Sequence, residues 1–301
     1  MEQIDLARGR AAQPHLNAED LSELRLWLPA RRLQRAIADY LDTETARIDA
    51  LIEKKRRMAH LMKESADVRQ RALATTGTRP TALRSSGHNW LGAIPEHWPV
   101  CRLKFIARLE SGHTPSRTRP EFWENCTTPW ITLNDVGYLE THEFIEETVN
   151  LISAEGLAGS SARVLPTGTV VLSRDATVGR SGIITRPMAT SQHFANWCCS
   201  EDLRPRYLWL LFRTAMQAYF ESLTDGATLR TIGIPDIKKF VVPLPPLDEQ
   251  DAIVREVEEV RSVAAKAITA LDRQVSLLME RRQALITAAV TGELDIPGVA
   301  A

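Results

Sequence analysis

Four short stretches of the sequence gather small polar side chains around arginines. "SGHTPSRTRP" carries His113, Thr114, Ser116, Arg117 and Arg119 between prolines that stiffen it. "SRDATVGR" carries Ser173, Arg174, Thr177 and Arg180; "TSQHF" carries Gln192; "GATLRTIG" carries Arg230 and Thr231. Cations of this kind neutralise phosphates, and a guanidinium fork or a carboxamide can pair with a base edge, Gln with adenine in particular. Each residue taken singly also has a plainer use. A surface Arg is usually solvated or weakly paired, and Ser191–Gln192–His193 can simply satisfy a buried turn. Arg117 with Arg119 is the preferred contact pair. Trp90, Trp98, Trp123, Trp130 and Trp197 are expected in the core, not as stacking platforms.

Bond-making chemistry finds little support. An adenine methyltransferase would show N-P-P-Y or D-P-P-Y and a Gly-rich cofactor loop, whereas "LPPL" lacks both the polar ligand and the aromatic stacker. G-x-x-x-x-G-K-S/T, H-E-x-x-H and G-x-S-x-G are absent. Asp135 and Asp175 have no paired spacing that argues for metal or acid–base work. Cys101, Cys126, Cys198 and Cys199 form no C-x-x-C pair and are expected as reduced, mostly buried thiols. No cofactor is implied.

The 301 residues suffice for one large domain or two modest ones, and 44% hydrophobic with 25% charged residues is a globular composition. A net charge of −1 gives no global sign of nucleic-acid binding, so a binder of this charge needs a local basic face or a basic partner. "MEQIDLARGR" lacks the apolar core of a signal peptide and no apolar run approaches a membrane span, so a cytoplasmic protein without membrane contact is expected.

The elements that must position these stretches are marked by a repeat. Residues 10–41 align without a gap on 226–257, an offset of 216. Leu28 and Pro29 fall on Leu244 and Pro245, Gln34 on Gln250, and Ala36–Ile37 on Ala252–Ile253. Each copy is a proline-braked start of a long helix. The second carries Asp248–Glu249 where the first has basic and apolar residues, and Gly292 suits its stop. Apolar residues at spacings of three and four give a heptad-like stripe: Ile37, Leu41, Ile48 and Leu51 in the first, Ile253, Val257, Val260, Leu271, Val275 and Leu278 in the second. Each helix is about 43 residues, roughly 65 Å, and needs a partner helix along its length. Between them, short Val/Ile/Thr-rich runs such as "GTVVLSRDA" and "SGIITRP", punctuated by Gly and Pro, predict a β-rich domain. One helical insertion is expected near "RPRYLWLLFRTAMQAYFESL".

The expected fold class is therefore α+β: one β-rich domain flanked by two long, antiparallel coiled-coil helices. The boundaries are 1–30 for an edge segment, 31–78 for the first helix, 79–88 for a linker, 89–247 for the domain, 248–292 for the second helix and 293–301 for a tail.

The ordered series "DYLDTETARIDALIEKKRRM", "WLGAIPEHWPVCRLK", "LESGHTPSRTRPEFW", "PWITLND", "ATSQHFANW", "PDIKKFVVPLPPLDEQ" and "LLMERRQALITAAVTGELDI" resembles the specificity subunits of Type I DNA restriction–modification systems. The resemblance runs from about Gln13 onward. It implies a non-catalytic subunit whose target-recognition domain reads a half-site of double-stranded DNA. It also implies that the long helices hold two such domains apart and dock the methyltransferase subunit, with the restriction subunit joining through the complex. A helix of roughly 65 Å spans about two duplex turns. The departure is that this sequence carries one recognition domain, with residues 10–29 resembling the closing edge of another. Either it is a half-subunit that pairs with a second copy of itself on a symmetric site, or it is a truncated cassette. A coiled-coil protein-interaction scaffold is the alternative from a different class.

Overall fold

The computed structural model describes residues 27–224 and 230–296. Of the edge segment read at 1–30, residues 1–26 lie outside them. The chain divides into two compact units, one of residues 1–62 with 266–301 and one of residues 63–265. Each long helix contributes to both.

Helix α1 (Arg31–Thr76) follows Leu28–Pro29, and its 46 residues end at Gly77, whose φ of +79° only glycine adopts without strain. In the first unit its apolar positions close on the final helix of the chain, Leu247–Thr291. Ile37 packs with Ala289 and Ile296, and Ile48 and Ile52 with Val275. Asp49 pairs with Arg282 at 2.9 Å and Lys55 with Gln274. Position 37 meets 289 and 55 meets 274, so these stretches run antiparallel. Leu41 is half-buried beside Ile37, and Leu278 beside Ile48. Leu51, expected in the stripe, is 41% exposed. The residue one position on, Ile52, turns inward instead, because Ile48 and Ile52 stand one turn apart on the same face.

The second unit is built on a five-stranded sheet. Strand β1 (Leu83–Ser85) lies in the stretch read as a linker and forms a hairpin with β2 (Ala93–Pro95) beyond it. Positive φ at Gly87 and Gly92 lets this "SSGHNWLG" segment turn back on itself. There follow β3 (Val100–Arg102), β4 (Ala107–Ser111), β5 (Thr128–Ile131), the short helix α2 (Val136–Leu139), β6 (Phe144–Ile145), β7 (Asn150–Ile152) and α3 (Ala154–Ala158). Then come β8 (Val170–Ser173), β9 (Ser181–Ile184), β10 (Ala189–Thr190) and β11 (Phe194–Cys199). The main sheet runs β4-β11-β8-β9-β6, with β6 parallel to β9 and the other pairs antiparallel. It is covered on both faces. Val170 and Leu172 point into one cluster with Trp197, while Val171 between them points into another with Ile184 and Phe194. A strand buried on both sides reads as a continuous apolar run, which is why "TVVLS" shows no alternation.

The larger cluster holds Trp98, Trp197, Tyr207, Phe212, Phe220 and Phe240. The segment 205–222 supplies much of it as α4 (Pro205–Leu210), a π turn (Leu211–Ala215) and α5 (Gln217–Ser222), interrupted where one helix was expected. Helix α6 (Ile234–Ile237) and β12 (Val241–Pro243), paired with β3, lead to α7 (Leu247–Thr291). The first turns of α7 belong to this core. Ile253 and Val257 are buried within it and Val260 packs against it, so these three serve the domain and not the helix seam. Leu271 and Val275, further on, are buried in the other unit. Trp98, Trp130 and Trp197 are buried as expected, with Trp90 and Trp123 half-buried. The four thiols are free and half-buried, less enclosed than expected. No helix among the described residues is long and apolar enough to cross a membrane.

Candidate nucleic-acid interface

Strand register brings three of the four polar stretches to one end of the main sheet. Ala195 stands opposite both Ser111 and Leu172, and Phe194 opposite Ser173. The loop leaving β4, the turn leaving β8 and the turn entering β11 therefore emerge together. The loop leaving β4 crosses the β10–β11 turn at close range. A Cβ on Gly112 would lie 2.2 Å from the Thr190 carbonyl, so only glycine fits there, and His113 N donates to that carbonyl at 3.0 Å.

A polar chain links the three loops. Thr114 Oγ1 donates to Gln192 Oε1 at 2.5 Å, Gln192 Nε2 lies 3.3 Å from His193 Nε2, and His193 Nδ1 lies 2.8 Å from Asp175 Oδ2. A carboxylate only accepts, so Nδ1 carries a proton toward Asp175, and in the tautomer with Nε2 bare the ring accepts there from the Gln192 amide. Every donor then points toward an acceptor, and the Gln192 carboxamide keeps one N–H and one lone pair for another molecule. Gln192 is exposed, and Asp175 and His193 are partly buried behind it.

Arg174 has a different job from the one its sequence suggests. Nε donates to the Ile232 carbonyl at 3.1 Å and Nη1 to the Gln192 carbonyl at 3.2 Å, with Asp175 3.8 Å away. It clamps the backbone behind the polar chain. The fourth stretch joins through backbone bonds: Ala176 N donates to Arg230 O, and Asp175 bridges Thr231. Ser173 is fully buried and donates to the Asp175 carbonyl, so it shapes the turn and does not reach the surface. Arg180 pairs with Glu140 at 2.7 Å, which takes up its charge. His113, Ser116, Arg117, Arg119, Thr177 and Arg230 are exposed and Thr231 half-buried. Ser116 Oγ meets Thr118 Oγ1, and Arg119 stacks over Phe122 at 5.4 Å. Arg117 has no charged partner among the described residues.

Sequence reasoning set Asp175 aside for want of a partner and did not count His193. Eighteen residues separate them, and only the pairing of β8 with β11 reveals the dyad. No sequence spacing could have signalled it.

Comparison with known proteins bears on the same region. The family model described as the Type I restriction modification DNA specificity domain matches residues 95–275. The MjaIX specificity subunit of Methanocaldococcus jannaschii is 30% identical over 164 residues, covering 54% of this chain and 38% of that protein. The EcoBI specificity subunit of Escherichia coli is 23% identical over 292 residues, covering 93% and 60%. The crystal structure of the HsdS subunit from Thermoanaerobacter tengcongensis shares the fold at a TM-score of 0.56 and 22% identity, covering 97% of this chain and 67% of that one. The chain thus spans between two fifths and three fifths of these two curated relatives. Since the family model covers well over half of its residues, the chain belongs to the Type I restriction–modification DNA specificity domain family.

Proposed function

We propose that this chain is a DNA sequence-recognition subunit of a Type I restriction–modification complex, reading one half-site and performing no bond chemistry itself. The observation that carries the reading is the meeting of three loops at one sheet end, where Gln192 is held from behind by Thr114 and by His193–Asp175. Its remaining N–H and lone pair suit a base edge. Exposed Arg117, Arg119 and Arg230, with His113, Ser116, Thr177 and Thr231, supply the phosphate and sugar contacts. A methyltransferase subunit docks on the long helices and a restriction subunit joins through it. A near-neutral chain fits this arrangement, since partner subunits then supply part of the phosphate grip. The other half-site needs a second recognition domain, and a second copy of this chain would make the motif palindromic.

The test is to express the chain with its methyltransferase and map modified adenines across a genome. A two-part motif with this domain's half-site supports the reading. No new modification, with both proteins soluble, overturns it in favour of a scaffold or a truncated cassette. Salt-sensitive duplex binding separates these further, because a scaffold gives none.

A further inference from the structure

The turn that presents Gln192 is pinned through its backbone at each residue. Ser191 N donates to the Ile131 carbonyl at 2.8 Å, the Gln192 carbonyl accepts from Arg174 Nη1 at 3.2 Å, and the His193 carbonyl accepts from Arg174 N at 2.9 Å. The backbone leaves one thing open, which way round the Gln192 carboxamide sits. A half-turn about its last bond exchanges Oε1 and Nε2. Thr114 does not decide between the two, because a hydroxyl can donate to Oε1 or accept from Nε2. His193 does decide. A bare ring Nε2 accepts only from the amide N–H and turns Oε1 toward Thr114, which is the arrangement seen. A ring proton on Nε2 would call for Oε1 instead and reverse the amide. The bare Nε2 belongs to the tautomer protonated on Nδ1, and a carboxylate beside Nδ1 selects that tautomer. Asp175 Oδ2 stands there at 2.8 Å, with the other carboxylate oxygen 3.8 Å from Arg174 Nη2.

We infer that Asp175 and His193 are positioning residues for base selection: through the ring tautomer they fix the order in which Gln192 presents its N–H and its carbonyl oxygen. In the order seen, Gln192 selects adenine in the major groove, donating to N7 and accepting from the N6 amino group. The reversed order sets donor against donor and acceptor against acceptor at the same base. Taking Gln192 as a base reader rests on the function proposed above; the dyad adds what decides the base. Holding the turn in shape does not require the His193 side chain, since the backbone bonds already do so.

The experiment selects duplexes with a randomised half-site on the chain assembled with its methyltransferase subunit, and sequences what is bound. Gln192→Ala marks the position that Gln192 reads, as the one whose preference disappears. Asp175→Asn keeps the shape of the side chain. Its carboxamide oxygen stays toward Arg174 and its NH2 turns on His193 Nδ1, which moves the ring proton to Nε2 and reverses Gln192. The expected result is a loss of adenine preference at the marked position of about fivefold or more, with the other positions held within about twofold. His193→Phe should relax the same position, and it carries the test if Asp175→Asn does not fold. Asp175→Asn added to Gln192→Ala should change nothing further there, because its effect passes through Gln192. An even loss across all positions overturns the inference, as does a change from Asp175→Asn that persists without Gln192. A motif left intact by Gln192→Ala, or by folded Asp175→Asn and His193→Phe, overturns it as well and leaves the recognition function standing. Selection of no motif by the unsubstituted assembly brings down the proposed function and this inference with it.

Discussion

The start of α7 and the start of α1 share a Leu-Pro, a Gln and an Ala-Ile pair at matching positions and differ in their surroundings among the described residues. Pro245 and Gln250 close the same bond as Pro29 and Gln34. Ile253 is fully buried in the domain core, whereas among the described residues its counterpart Ile37 packs with Ala289, Ile296 and a few half-buried neighbours. The local turn is therefore set by proline and glutamine, and its energetic weight by what lies beyond it. The same contrast recurs elsewhere. Arg174 is held by two carbonyls, while Arg117 has no charged partner among the described residues.

The isoleucines give the largest test of this contrast. Ile253→Ala should destabilise the chain by about 4 kcal/mol, because the surrounding aromatic cluster cannot collapse into the space, and Ile37→Ala by about 2 kcal/mol. Urea unfolding followed by tryptophan fluorescence measures both. Equal losses would mean the two helix starts carry equal weight, and the contrast would fail. Leu51→Ala, on the exposed side of α1, should stay within about 0.5 kcal/mol.

The glutamines come next. Gln250→Ala strands the Arg204 N–H and two carbonyls in the interior, at a cost of about 2–3 kcal/mol. Gln34→Ala removes one solvent-exposed bond and should cost less than about 0.5 kcal/mol. A large loss for Gln34→Ala would show that its turn is already supported within the chain.

Much of this organisation was legible in advance, for identifiable reasons. Proline before each helix and Gly292 after the second one act locally, so the helix bounds were readable to within two residues. The heptad-like stripe was readable too, but its partners were not. Periodicity reports an apolar face, and Ile253, Val257 and Val260 show one face serving a globular core while Leu271 and Val275 serve the other unit. The polar site was half legible. Gln192 stood out by type, yet its support by Thr114 and His193–Asp175 depends on strand register, which no local pattern encodes. Composition marked Ser173 and Arg180 as contacts, and tertiary structure buries one and pairs the other.

The arginines sharpen the contrast at the candidate interface. Arg117→Ala should weaken duplex binding by the assembled complex about threefold to tenfold and lower the salt slope by about one, as for loss of a single phosphate contact. Arg174→Ala should act through fold instead, loosening the Gln192 turn and lowering stability as well as affinity. Binding isotherms at several salt concentrations, paired with unfolding curves, distinguish the two. An Arg174→Ala variant of unchanged stability would place that side chain with the phosphate contacts.

The smallest effect concerns Cys199, whose thiol is pushed from 9.0 up to about 12 by burial, with neighbouring Cys198 adding to the shift. The sign follows from proton counting. Between pH 9 and 12 the folded chain keeps this proton while the unfolded chain loses it, so the folded state binds more protons and stability falls as pH rises. Below pH 9 both states are protonated and the thiol contributes no slope. Urea midpoints measured from pH 8 to 10.5 should therefore decline more steeply for the wild type than for Cys199→Ala, whose unfolded state has no thiol there to ionise. Parallel slopes for the wild type and Cys199→Ala would mean that this thiol ionises in the folded chain as readily as in the unfolded one. The burial of Cys199 would then have no energetic consequence.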